Sequence, residues 1–166
     1  MKPIYIKKLL ISEINKVASE PHNYCTNPDT DFTRNRKLSM GKMLQGIIGM
    51  ESKSLTNELL DLFDASAETP SASAFIQQRD KIRPIAFESI FKNFSKKLMN
   101  SFDNDIPVFA IDGSDIQIPT NPTDTESYIA GTNGHKGYNL LHINALYDLN
   151  KHIYSDVIIQ KARERN

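Results

Sequence analysis

Four residues in the second half of the chain, Asp112-Gly113-Ser114-Asp115, follow directly on the apolar run Val108-Phe109-Ala110-Ile111. A carboxylate at the end of a strand is held rigidly at a sheet rim, and magnesium wants hard oxygen ligands fixed at about 2.0–2.1 Å. On that reading Asp112 is a metal ligand, Gly113 permits a sharp supporting turn with Ser114, and Asp115 is a helper ligand or a group behind the ligand. The same four residues also read as a plain turn after a strand. A second chemical feature lies earlier, where Arg34, Arg36, Lys37 and Lys42 form the densest basic stretch. Downstream of it, Ser73, Gln77, Gln78, Arg79 and Lys81 are polar groups of the kind that reach phosphates or base edges. A solvated charged loop and an ordinary helical pair are the plain reading of the same residues.

Other chemistries lack their residues. His22, His135, His142 and His152 include no pair at metal-ligand spacing, and a lone cysteine does not make a zinc site. Ser114 has no Gly-x-Ser-x-Gly context. Gly131, Gly134 and Gly137 match no phosphate-binding fingerprint and precede a strand instead of a helix. Aromatic residues do not interleave with the basic cluster, which disfavours single-strand stacking.

These residues need elements to hold them. Leu38, Met40, Met43, Leu44, Ile47 and Ile48 follow the three-and-four spacing of a helix with one apolar face, ending near Gly49. Ser54 caps a second helix with Leu55, Leu59, Leu60 and Phe63 on one side, and Pro70 opens a third that runs from Ser71 to Ile82. A short turn between them makes a helix-turn-helix-like pair. Pro84 opens a fourth helix on Phe87, Ile90, Phe91, Phe94 and Leu98. The Ser101 to Pro107 cluster is the joint to a sheet part, which gives a helical domain over residues 1–104 and a second domain over 105–166. There the apolar run at Val108 reads as a strand buried on both faces, Thr120 to Gly137 as an exposed loop, and Tyr138 to Leu149 and Ile153 to Ile159 as a hairpin.

Composition bounds the rest. With 166 residues, 39% hydrophobic and 24% charged, the chain is an ordinary globular protein of one or two domains. Its 20 basic and 20 acidic residues cancel, so a nucleic-acid partner must be met by a local patch. The single Cys25 forms no internal disulfide, and no apolar run approaches the ~20 residues of a membrane span. A cytoplasmic location without a membrane partner is the expectation.

Taken in order, Phe32 to Ser39, the pair Ser54 to Phe63 and Pro70 to Ile82, Val108 to Asp115, and the strand with His142-Ile143-Asn144-Ala145-Leu146-Tyr147-Asp148 resemble the N-terminal part of bacterial DDE transposases of the insertion-sequence-4 type. The resemblance covers residues 32–160. It implies an α+β protein: a helical domain that binds double-stranded DNA at transposon ends, then a mixed RNase H-like sheet represented by its first three strands. It implies Asp112 as the first catalytic aspartate and ligand of Mg²⁺ or Mn²⁺, in a family whose two ions sit about 3.5–4 Å apart. It further implies Arg34, Arg36, Lys37, Lys42, Ser73, Gln77, Arg79 and Lys81 as DNA contacts, and a homodimer or an intact transposase as protein partner. The family's second aspartate and glutamate have no counterpart here, and Asp148 and Asp156 read as structural. The expectation is a truncated transposase with no strand-transfer activity by itself, weak or absent metal binding, and marginal solubility because its sheet is uncovered. A DNA-binding regulator without catalysis is one alternative. An aspartate-dependent phosphohydrolase is another, lowered because Asp-x-x-Asp replaces the usual Asp-x-Asp.

Overall fold

In the computed structural model the described residues are 3–34, 37–101, 106–132 and 134–161. The chain forms an α+β protein of two compact units, residues 1–94 and 95–166. The division lies within a helix, ahead of the expected joint at Ser101 to Pro107, whose residues 102–105 fall outside the described residues. Among the described residues, no helix is long and apolar enough to cross a membrane.

The described residues form six helices: α1 (Pro3–Ser19), α2 (Pro21–Tyr24), α3 (Met40–Gly49), α4 (Leu55–Leu62), α5 (Ala72–Arg79) and α6 (Ile85–Asn100). Three of them start on a serine cap, as their sequences dictate. Ser39 accepts a hydrogen bond from the Lys42 amide at 3.4 Å, Ser54 from Asn57 at 3.4 Å and Ser71 from Ala74 at 3.2 Å. The core draws Ile14 and Val17 from α1, Met40, Met43 and Leu44 from α3, Leu59 from α4, Phe75 from α5, and Ala86 and Ile90 from α6. Helix α1 was not anticipated, although Leu10, Ile14 and Val17 carry the spacing that packs it on this core.

Two features of the α4–α5 pair differ from expectation. Their connection spans residues 63–71, with Asp64 and Ala65 both in the left-handed region, whereas a helix-turn-helix uses a turn of about 3–4 residues. Helix α5 also starts after Pro70 and ends at Arg79 instead of Ile82. The reason lies in the backbone beyond it: Ile82 pairs with Cys25 as an isolated antiparallel bridge. Thr26 donates its amide to the Lys81 carbonyl at 2.8 Å and Arg83 donates to the Tyr24 carbonyl at 2.8 Å, so a turn at Lys81 leads the backbone out of the helix to pair with residues 24–26.

The second unit is a four-stranded sheet, antiparallel throughout, in place of the expected mixed three-stranded one. Strand β3 (Tyr138–Asp148) is central. It pairs with β1 (Phe109–Ile118) along one edge, and with the two-residue β2 (Tyr128–Ile129) and then β4 (Ile153–Lys161) along the other. Strand β1 does not stop at Ile111; it runs through Asp112, Gly113, Ser114 and Asp115, each paired with a residue of β3. Nor is its apolar run buried. Ile111 is 76% exposed and Val108, Phe109, Ile116, Ile158 and Ile159 are exposed as well, so apolar side chains stand in solvent on both faces. The 120–137 connection is largely exposed, as expected, but it also contains β2 and a buried serine, Ser127.

Candidate functional site

Asp112 faces Ala145 across β1 and β3, and strand alternation places it on one side of the sheet with Ser114, Ile143 and Val157. Asp115 is three residues on and therefore projects from the opposite side. No single ion or substrate is reached by both, which removes the helper role for Asp115 and the turn role for Gly113 and Ser114. Asp115 has other work: its Oδ1 lies 2.9 Å from His142 Nδ1. Gly113 is small because that ring lies over it. A Cβ there would come within 3.0 Å of His142 Cε1 and 3.2 Å of Asn144 Oδ1. Asn144 in turn donates to Gln160 on β4 at 3.1 Å. A polar band from β1 to β4 thus occupies the side of the sheet that Asp112 does not share.

The strands carry four aspartates, and three are engaged. Asp148 is fully buried and accepts the Asn150 and Lys151 amides at 3.0 and 2.9 Å, closing the β3–β4 turn. Asp156, on the His142 side, accepts its neighbour Val157's amide at 2.9 Å. Asp112 is exposed and makes no hydrogen bond or ion pair among the described residues. Magnesium needs several oxygen ligands at once. The described residues offer Asp112 alone on its face, and among them no group of three His, Cys, Asp or Glu side chains could hold an ion. Asp112 by itself does not make a magnesium site, and no catalytic step follows from it.

Sequence neighbours in the basic cluster part company in space. Lys37 pairs with Glu68 at 3.1 Å, and the Lys42 ammonium lies 5.7 Å from the centre of the Phe63 ring. Arg36 lies outside the described residues. Arg79 leans on its neighbour Asp80 at 3.3 Å. Arg34 is exposed and meets Lys81 and Gln78 around a notch of about 300 Å³ in the helical unit. On α5 the buried Phe75 fixes the inner face, so Ser73 and Gln77 face solvent. The notch also draws on residues that the basic pattern did not signal, Asp29, Thr30 and Phe32, which precede the cluster in a turn-rich stretch.

A further polar centre holds the 120s connection to the sheet. Asn139 donates to Ser127 Oγ at 2.8 Å and to the Asn121 carbonyl at 3.0 Å, and accepts the Asn121 amide at 2.7 Å. Lys161 Nζ bridges Glu126 at 2.6 Å and Asp124 at 3.1 Å. The Ser127 hydroxyl and then Lys161 hold the Asp124 carboxyl below its ordinary value, while Glu126 and Asp124 raise Lys161. A carboxyl depressed in the folded state stabilises above its unfolded pKa, and the effect is lost as pH falls through the folded one. The amides of residues 124–128 are therefore expected to keep constant protection factors, measured against the intrinsic exchange rate at each pH, down to pH 3.8 and to lose protection only below it. Hydrogen exchange followed by NMR checks this. Protection lost already near neutrality would assign the clamp to a different group.

No family model, no curated protein and no solved structure matches this chain.

Proposed function

We propose that the chain is the DNA-binding and first-carboxylate portion of a DDE-type transposase. The helical unit binds double-stranded DNA through α5 and the adjoining basic residues. The sheet is the opening part of an RNase H-like domain, and Asp112 is one ligand of a Mg²⁺ or Mn²⁺ site that further acidic residues complete. The observation that carries this reading is the isolation of Asp112. The other strand carboxylates each have a partner that explains them, whereas Asp112 is exposed and unengaged on a strand that fixes its position. The outer edge of β1 supports it, since among the described residues no strand pairs there and the sheet can be extended beside Asp112.

Manganese supplies the direct test. In an NMR titration, Mn²⁺ is expected to broaden Asp112, Ser114 and Ala145 before other sheet residues, and Asp112→Asn to abolish that selectivity. Asp115→Asn, on the opposite side, is expected to leave it intact. Uniform broadening, or broadening that follows Asp115, would remove Asp112 from a metal role. With a duplex substrate and Mg²⁺ or Mn²⁺, this chain alone is expected to bind in a salt-sensitive manner and to release no cleavage product. Product that vanishes in Asp112→Ala would show that one described carboxylate suffices, contrary to the reading.

A further inference from the structure

The notch between residues 29–34 and the end of α5 has the chemistry of a phosphate subsite. Its lining includes Arg34, Lys81, Gln78 and Thr30, four residues whose side chains carry hydrogen-bond donors, around a hollow of about 300 Å³. Planar guanidinium and compact ammonium groups together suit a phosphodiester's charged oxygens.

The hollow is built and held, not left to loop motion. Asp31 is buried and accepts the Asn27 amide at 2.9 Å, which closes the turn, and its other oxygen lies 3.8 Å from Lys81 Nζ. That carboxylate aims the ammonium while leaving it room for a closer partner, because 3.8 Å is too long for a hydrogen bond. Phe32 takes a φ of 55° and packs its side chain against the core, fixing Thr33 and Arg34 beyond it. The Cys25–Ile82 bridge fastens the start of the loop to the strand-like segment that carries Lys81.

One lining group opposes an anion. Asp29 is exposed on the lining, and with Asp31 beneath Lys81 the local charges nearly balance. An anion held there relies on directed donors more than on net charge, and Asp29 becomes the residue whose removal reports the sign of the ligand.

We infer that this notch holds one backbone phosphate of duplex DNA, with Arg34 and Lys81 as its charged contacts. The inference rests on the DNA-binding reading above and names its phosphate anchor.

The test is fluorescence anisotropy of the full chain with a labelled mixed-sequence duplex over a range of salt. Arg34→Gln is expected to weaken binding about ten-fold at low salt and to lower the salt slope by about one. Arg34 is exposed, so an unchanged unfolding midpoint verifies that the variant is folded. Asp29→Asn is expected to tighten binding several-fold, since it removes a like charge beside the phosphate. Lys8→Gln, on α1, serves as a control for general charge loss and is expected to change little. If the wild-type chain binds duplex but Arg34→Gln behaves like Lys8→Gln, or Asp29→Asn weakens binding, the phosphate subsite is wrong and the DNA reading survives. If the wild-type chain binds no duplex, both fail. If inorganic phosphate alone shifts the Gln78 and Thr30 resonances at concentrations that leave the bound duplex in place, the notch serves free phosphate and the inference is overturned.

Discussion

Asn139→Ala is expected to destabilise the sheet unit by roughly 2–4 kcal/mol, the scale of leaving several buried polar groups without partners. The substitution removes one side chain, strands the Asn121 amide and the Asn121 carbonyl, and takes a donor from the Ser127 hydroxyl, which keeps its own bond to Asp124. Asn139 and Ser127 are both fully buried, so the emptied position lies inside the structure, under the exposed Asn121. The same side chain sits where β1, β3 and β2 meet in register, opposite Ile118 on one edge and Tyr128 on the other. Its loss should therefore release the 120s connection and fray the start of β3 together. Hydrogen exchange at residues 121–129 and 138–141, with the denaturant midpoint, measures the effect. Asn144→Ala provides the comparison, because Asn144 is only half-buried and its side chain donates one hydrogen bond, to Gln160. It is expected to cost about 1 kcal/mol. Equal effects from the two substitutions would deny Asn139 its special position.

Phe75→Ala is expected to be at least as damaging in the helical unit, at roughly 3–5 kcal/mol for a buried phenylalanine emptied to a cavity. Helix α5 is eight residues long and buries only this side chain, which is 1% exposed. Isolated helices of that length are not stable in water, so α5 exists because Phe75 docks it. Its ring edge also reaches toward Gly46 on α3, where an added Cβ would stand 3.7 Å from Phe75 Cε2. Without the ring, α5 loses its anchor and the outward Ser73 and Gln77 lose their fixed presentation. Duplex affinity should fall along with stability, and exchange of the α5 amides should rise toward that of an unfolded segment. Loss of stability with unchanged duplex binding would place the nucleic-acid contacts on another element.

What could be read from the residues divides along physical lines. Helices α3, α4 and α6 announce themselves locally, through apolar spacing and, for α4 and α6, through Ser54 and Pro84 at their starts. The hairpin of β3 and β4 was equally plain, with Asp148 closing its turn. The errors arise where distant pairing overrides local preference. Gly113, Ser114 and Asp115 have turn composition, yet pairing to Asn144, Ile143 and His142 keeps them extended. The smallness of Gly113 answers the His142 ring, a neighbour remote in sequence. Likewise, α5 yields at Arg79 because residues 81–83 are needed by residues 24–26. The basic stretch misled for a related reason: contiguity along the chain says nothing of whether a lysine ends beside Glu68, over Phe63 or at a notch. Asn139 carried no signal at all, since a polar residue in a strand looks like an exposed one until its partners at Asn121 and Ser127 are known.

The Cys25–Ile82 bridge has a bearing on time as well as on shape. It joins positions far apart in the chain, so it is expected to form after the intervening helices condense, because closing so long a loop costs entropy that local contacts do not. The segment carrying Lys81 and the turn leading to Arg34 acquire their final places in that last closure. An intermediate with α3, α4 and α5 already formed would thus be compact and helical but unable to present both cations together. In a refolding experiment, helical signal should recover ahead of duplex affinity.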